Sequence, residues 1–412
     1  MLDINFIRDQ YQVFNHSESG KWAFFENAGG SCIPNQVLHR FIDLVSHYKV
    51  QPYAPYGVSQ LAGNAMDEGY QTVADLLAAD PDDITIGPST TLNTYVLANA
   101  LSASIRPGDE IIVTNQDHEA NIGSWRRLQK QGAVIREWQI NPETGLLDPA
   151  DLESLLSERT RLVCFTLCSN IVGDVHDVKR LTDSVRSTGA ITVGDGVSFA
   201  PHRVLDVSES GLDVYLYSTY KTFAPHTGVM WINPERQSEF ENQGHFFNSD
   251  KPHYRLNPTG PLHAEIGALG GLRNYYDDIF RQHDLDADAD NLHARATAVC
   301  DLFEQHEAML GNRLLDYLVQ RPDIRVIGRQ HIDNGNRVAT LAFSSSNQSS
   351  TAIARKLADY RIGCSSGHFY AKRCIEALGI DSEEGVVRVS MVHYNSLEEV
   401  DGLIDGLEQT LT

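Results

Sequence analysis

Between residues 110 and 233 the chain carries six short apolar runs: EIIVT (110–114), AVIREW (133–138), RLVCFTL (161–167), AITVGD (190–195), VYLYS (214–218) and GVMWIN (228–233). Unbroken apolar runs of this length are what strands buried on both faces look like. Helical patterns separate several of them, notably EANIGSWRRLQKQ and HDVKRLTDSVRST. Strand, helix, strand in this rhythm predicts an α/β domain on a mostly parallel sheet. Such sheets bind ligands beyond the carboxyl ends of their strands. The polar residues just after the runs are therefore the first candidates: Asp117, His118 and Asn121; Ser169 and Asn170; Asp195 and Ser198; Ser218, Thr219 and Lys221.

At 412 residues, 42% of them hydrophobic, the chain can bury a large core and more than one domain. Residues 34–49 place Val37, Leu38, Phe41, Leu44, Val45 and Tyr48 on one helical face behind Pro34. After about residue 285 the pattern changes to a long helical stretch, then short strands such as RVATLAFS and VVRVSMV. Ser396 and Glu399 form a capping box for a last helix. We expect an N-terminal segment (1–20) packed on the smaller domain, a large domain (21–285) and a smaller α+β domain (286–412).

The net charge of −22 argues against a nucleic-acid groove or an anionic membrane surface as partner. No apolar run approaches the roughly 20 residues of a membrane helix, and the first residues lack an export pattern, so a cytoplasmic protein is expected. The six cysteines form no C-x-x-C pair and read as free thiols. Cys364, His368 and Cys374 lack a fourth ligand and standard spacing for zinc, so no metal is expected.

The sharpest stretch is VYLYSTYKTFAPHTGVMW (214–231), where Lys221 follows a buried run. Alone it reads as a surface lysine. Its companions are more specific. Asp195 ends a run beside Gly196 and is placed to pair with a protonated ring nitrogen. His118 is placed to stack on a flat ring, and GPSTTLNTYVLANAL (87–101) reads as a helix start suited to a phosphate. Together these describe a site for pyridoxal 5′-phosphate.

Further motifs fall in order along the chain. They are Asn27-Ala28-Gly29-Gly30, Ser89-Thr90-Thr91, DHEAN (117–121), SNIVGD (169–174), D-G-x-S at 195–198, S-T-Y-K at 218–221, R-x-x-x-T from Arg255 to Thr259, and VVRVSMVHYN (386–395). In this the chain resembles the class V aminotransferases, pyridoxal phosphate enzymes of fold type I, and most closely their cysteine desulfurase-like branch. The resemblance implies a large domain with a mostly parallel seven-stranded sheet, a smaller α+β C-terminal domain and a homodimer. It makes Lys221 the Schiff-base lysine and Asp195 the partner of the pyridine nitrogen, with His118 stacked on the ring. Thr90, Thr91 and Ser218 would bind phosphate, and Thr259 would reach the phosphate of a neighbouring subunit's cofactor. Asn170 would lie near the ring oxygen. Arg388 would pair with the substrate carboxylate, and Asn27 and Ala28 would also bind the substrate. Ser198 and Tyr220 stand where the family commonly has a glutamine and a histidine, and both can still hydrogen-bond.

The late stretch CSSGHFYAKRC (364–374) departs from the branch. Related desulfurases place a sulfur-accepting cysteine in this loop. In this chain that position is Tyr370, with His368 and Tyr370 expected to face the substrate. The expected reaction is therefore β-elimination of a carbon–sulfur bond from a cysteine-derived amino acid, with Tyr370 as proton donor to the leaving group. An aminotransferase or epimerase on the same scaffold, a desulfurase using Cys364, and a non-catalytic binding protein are the alternatives.

Overall fold

The computed structural model describes residues 1–285 and 290–411. Its strands are β1 (Ala23–Phe24), β2 (Ile84–Gly87), β3 (Glu110–Thr114), β4 (Val134–Trp138), β5 (Thr160–Thr166), β6 (Ile191–Asp195), β7 (Val214–Ser218), β8 (Gly228–Ile232), β9 (Ile324–Ile327), β10 (Thr340–Ser345), β11 (Ile362–Gly363), β12 (Ser365–Gly367) and β13 (Val386–Ser390). A seven-stranded sheet has the order β2-β8-β7-β6-β5-β3-β4. Within it only β8 runs against its neighbours; β7, β6, β5, β3 and β4 are parallel. All six apolar runs lie in this sheet. The seventh strand, β2, is four residues long and carries no comparable run.

The parallel strands are hydrophobic on both faces because helices cover both. Along β5, Val163 and Phe165 face one cluster of buried side chains, and Leu162 and Cys164 face the other. That alternation is the two-residue period of a strand. A four-stranded antiparallel sheet, β12-β13-β10-β9, lies beyond the long helix Leu292–Leu318, with its own core around Leu341, Phe343, Val387 and Val389. The expected boundary at 285/286 falls at residues 286–289, outside the described residues. The helix Asn35–His47 buries Val37 and Leu44 of the expected face, leaves Leu38, Phe41 and Val45 half-buried, and ends before Tyr48. Ser396 and Glu399 make both halves of the capping box.

The N-terminal residues tie the two sheets together. Arg8 bonds the Tyr394 carbonyl and the Glu399 carboxylate. Tyr11 reaches Tyr275 and His393 with its hydroxyl. β1 pairs in parallel with β11, and Phe25 both donates to the Gly363 carbonyl and accepts from the Ser390 amide. A few residues later Ser31 bonds the Tyr220 carbonyl and the Phe223 amide. A short run of chain thus leads from the smaller sheet to the loop after β7.

Two glycines set the height of the helix Thr90–Ser102 above the sheet edge. Gly87 and Gly228 face each other across β2 and β8. A Cβ on Gly228 would lie 2.3 Å from the Thr90 nitrogen, and one on Gly87 would lie 2.0 Å from Oδ1 of Asn93. Asn93 closes the contact by donating to the Gly228 carbonyl at 2.9 Å. Gly228→Ala must push the helix start off the edge, with a loss of about 1–3 kcal/mol. Chemical denaturation should show that loss; an unchanged midpoint would contradict the close approach.

Candidate active site

The carboxyl edge of the large sheet opens into a cleft lined by Thr90, Thr91, His118, Ala120, Thr166, Asn170, Asp195, Val197, Ser198, Ser218, Tyr220 and Lys221. Every expected cofactor-contacting residue is there except Thr259. They arrive from the ends of several strands and the starts of helices, so residues far apart in the chain converge without any local motif joining them.

One end of the cleft is the start of the helix Thr90–Ser102. Ser89 caps it by accepting from the Leu92 amide at 3.2 Å. The amides of Thr90 and Thr91 have no preceding carbonyl to bond and carry the positive end of the helix dipole. The Thr90 and Ser218 hydroxyls lie 2.7 Å apart. Tyr220 stacks on His226 with ring centres 4.4 Å apart, and burial, followed by Asp195, raises its phenol above the ordinary value.

Asp195, the last residue of β6, is buried, and its carboxylate accepts one hydrogen bond, from the Val197 amide at 2.7 Å. Burial pushes its carboxyl up to about 6, opposed by that amide and by Lys221. Lys221 follows β7 and is 6% exposed. Burial and then the Arg388 charge bring its amine down to about 8, and Asp195 opposes them. His118 caps the helix Glu119–Arg126 by accepting from the Ala120 amide on Nδ1, which leaves its proton on Nε2. Burial, helped by Lys221 and Arg388, lowers the ring to about 3, so it stays neutral at physiological pH. Asp117 beside it bonds Thr114 and Asn121, and burial lifts it to about 7.

Arg388 comes from β13 of the smaller sheet and is 4% exposed. Its Nη1 donates to the Asn170 carbonyl at 3.2 Å, and its Nε is buried without a partner. Burial lowers the guanidinium to about 10, against the opposing charge of Glu26. Among the described residues no carboxylate lies within ion-pair distance of Arg388 or Lys221.

The remaining expected residues are placed as follows. Asn27 has its amide engaged by the Phe24 and Ser390 carbonyls and by Asn395, and its oxygen by Tyr394. The Ala28 amide donates to Ser390. These two hold the loop to β13 rather than presenting free groups. His368 accepts from the Tyr370 amide, folding its ring back on its own loop. Tyr370 lays its ring on His118, with ring centres 5.3 Å apart, and is 70% exposed. Thr259 is on the 256–260 loop, where it bonds Asn257, and is not part of this chain's cleft lining. Cys364 is half-buried, and burial, then Glu26, raises its thiol to about 12. Cys374 is buried in the helix Lys372–Ala377 and is likewise held at about 12. Thr166 and Val197 line the cleft without standing out in the sequence; their one signal is position, at the end of β5 and just past β6.

The sequence model of the family "aminotransferase class-V" matches residues 23–261 and 294–403. The chain belongs to the class V aminotransferases, a family of pyridoxal phosphate-dependent enzymes. Among curated proteins this class V chain is 36% identical to the aminotransferase-like protein FGM3 of Gibberella zeae, covering 100% of this chain and 99% of that one. It is 30% identical to the cysteine desulfurase-like protein ustD of Aspergillus flavus, covering 100% and 91%. Its fold matches that of the cysteine desulfurase of Thermococcus onnurineus, with a TM-score of 0.83 at 23% identity over 98% of this chain and 97% of that one. The Escherichia coli cysteine desulfurase CsdA superposes with a TM-score of 0.81 at 22% identity, over 100% and 99%.

The Lys221 environment is directly measurable. A base whose folded value is depressed is neutral above about 8, whereas an exposed lysine stays charged until about 10.5. Competitive acetylation of the cofactor-free protein, followed by peptide mass analysis, should give Lys221 a titration midpoint near 8. A midpoint near 10.5 would contradict the buried, cation-flanked site.

Proposed function

We propose that this cleft holds pyridoxal 5′-phosphate and that the protein catalyses β-elimination of a carbon–sulfur bond from a cysteine-derived amino acid. The observation that carries the reading is the convergence of Lys221, Asp195 and His118 with a free helix start on one cleft, under an Arg388 without an ion-pair partner and without a reactive thiol. The residues suit the cofactor: two unbonded amides and two hydroxyls for a phosphate, a buried carboxylate with spare acceptor capacity for a ring N–H, and a buried lysine with no ion pair among the described residues.

When bound, the cofactor would supply an electron sink for a substrate amine. The chain's own residues do the rest. Asp195 would keep a proton on the cofactor's ring nitrogen; a cationic partner would pull its carboxyl well below its value of about 6. Arg388 fixes the substrate by its carboxylate and so selects which bond at the α-carbon is aligned to break. Lys221, with an amine near 8, takes the α-proton on Nζ and can return it. His118, neutral with its proton on Nε2, covers the site without adding a third positive charge. The α-C–H and β-C–S bonds break, the sulfur leaves as a thiol, and water converts the remaining enamine to pyruvate and ammonia.

A desulfurase would need a thiolate. Neither cysteine of the late loop supports that reading, because thiols held at about 12 are protonated at pH 7. The setting of Tyr370 also shifts its proposed part. A departing thiolate is a far weaker base than an alkoxide and can leave with little help from an acid. Tyr370 is mostly exposed and stacked on His118, so we assign it to covering that ring.

Loaded with cofactor and given S-methyl-L-cysteine, the protein should release pyruvate, ammonia and methanethiol in equal amounts. Transfer of the amino group to a keto acid, with no thiol released, would overturn the reading in favour of an aminotransferase. Cys364→Ser should leave the rate unchanged. Tyr370→Phe should keep it within about threefold, whereas removal of a required general acid costs roughly a hundredfold or more.

A further inference from the structure

We propose that Phe369 is a positioning residue for Arg388, and that it forces the substrate carboxylate onto one edge of the guanidinium, the Nε–Nη2 edge. The inference rests on the reading of Arg388 as the carboxylate site.

Three residues close a ring of contacts. The Arg388 guanidinium carbon lies 3.8 Å from the centre of the Phe369 ring, so one face of the cation is covered. Its Nη1 is committed to the Asn170 carbonyl at 3.2 Å. The side-chain amide of that same Asn170 donates to the Phe369 carbonyl at 3.0 Å. What remains of Arg388 is its Nε, buried without a partner, and its Nη2, which makes no hydrogen bond among the described residues. Nε–H and Nη2–H point the same way in the guanidinium plane and match the two oxygens of a carboxylate. The donors left for a ligand thus lie on that edge, in the guanidinium plane, and fit a carboxylate in one orientation.

The backbone shows what holds Phe369 there. Phe369 and Tyr370 have φ of +47° and +60°, two successive non-glycine residues in the left-handed region. Side chains rarely adopt that conformation, and it persists only where the surroundings over-determine it. In this turn it aims two successive carbonyls outward. The Phe369 carbonyl accepts from Asn170, and the Tyr370 carbonyl accepts at 2.8 Å from the Glu119 amide, an otherwise unbonded donor at a helix start. The aromatic stack of Tyr370 on His118 pins the same turn from the other side. With the Phe369 ring on Arg388, the turn is docked onto the cleft at four points, and its strained geometry delivers that ring to the face of the cation.

A residue with no chemistry of its own thereby acquires a specificity role. Covering the face removes water from it and strengthens both the cation–ring contact and the remaining edge. Substrates with a carboxylate next to the amine should gain from it; amines lacking that group should not.

The test compares S-methyl-L-cysteine with its decarboxylated counterpart, 2-(methylthio)ethylamine. Dissociation constants are read from the visible absorbance of the cofactor-loaded protein, and their ratio isolates the carboxylate. Phe369→Leu keeps the bulk and loses the ring face; it should reduce the ratio about tenfold, with the thermal midpoint and the amine's own affinity unchanged. Phe369→Tyr should restore it. Arg388→Lys is the control for the underlying reading and should collapse the ratio further. If Arg388→Lys leaves the ratio intact, the carboxylate reading of Arg388 fails. If Arg388→Lys collapses it while Phe369→Leu does not change it, the carboxylate reading stands and Phe369 does not position the guanidinium.

Discussion

Two buried cations and one buried carboxylate lie in or beside a single cleft, Lys221 and Asp195 lining it and Arg388 bonded to the lining residue Asn170, without forming an ion pair. Lys221, Arg388 and Asp195 are each nearly inaccessible, and each sits away from its ordinary value because burial disfavours its charge. Burying charge without a partner is costly, and proteins tolerate it where a ligand will supply the partner. The arrangement asks for a molecule with an electrophilic carbon for Lys221, a ring N–H for Asp195 and a carboxylate for Arg388. The helix start at Thr90 adds a place for a phosphate.

The fold exists around this cleft as a meeting of two sheets. The large parallel sheet delivers Asp195, Lys221, Asn170 and His118 from the ends of strands or the turns after them. The smaller sheet delivers Arg388 from β13. Neither could hold the site alone, and residues 23–31 hold them in register, bonding β11 and β13 at one end and the Lys221 loop at the other. The glycine pair 87 and 228 lets the start of the helix Thr90–Ser102 descend to the level of the strand ends. In the usual desulfurase-like pattern the late loop carries a thiol; in this chain its turn is fastened down by hydrogen bonds and ring contacts.

Much of this is legible in the sequence, for definable reasons. β3 to β8 announce themselves because buried parallel strands are continuous apolar runs. Most of the cleft-lining residues follow because they come just after those runs. The capping box at Ser396 and Glu399 is a local pattern and needs no tertiary knowledge. β2 escapes notice because it is only four residues long and carries no extended apolar run. β1 is two residues long, and its pairing with β11 spans more than 300 positions. A comparable separation hides the Asn170–Phe369–Arg388 ring, whose hydrogen bonds join residues 199 and 218 positions apart. Asn27 is expected from the sequence to bind substrate, but the capture of its amide by β13 is not legible there.

Everything proposed for the cleft depends on Lys221 being the residue that holds the cofactor covalently. The most direct measurement is borohydride reduction of the protein loaded with pyridoxal phosphate, followed by peptide mass spectrometry. A phosphopyridoxyl group should appear on Lys221, at close to one per chain, and Lys221→Ala should abolish it. A stable adduct on another lysine, or none on any, would contradict the assignment.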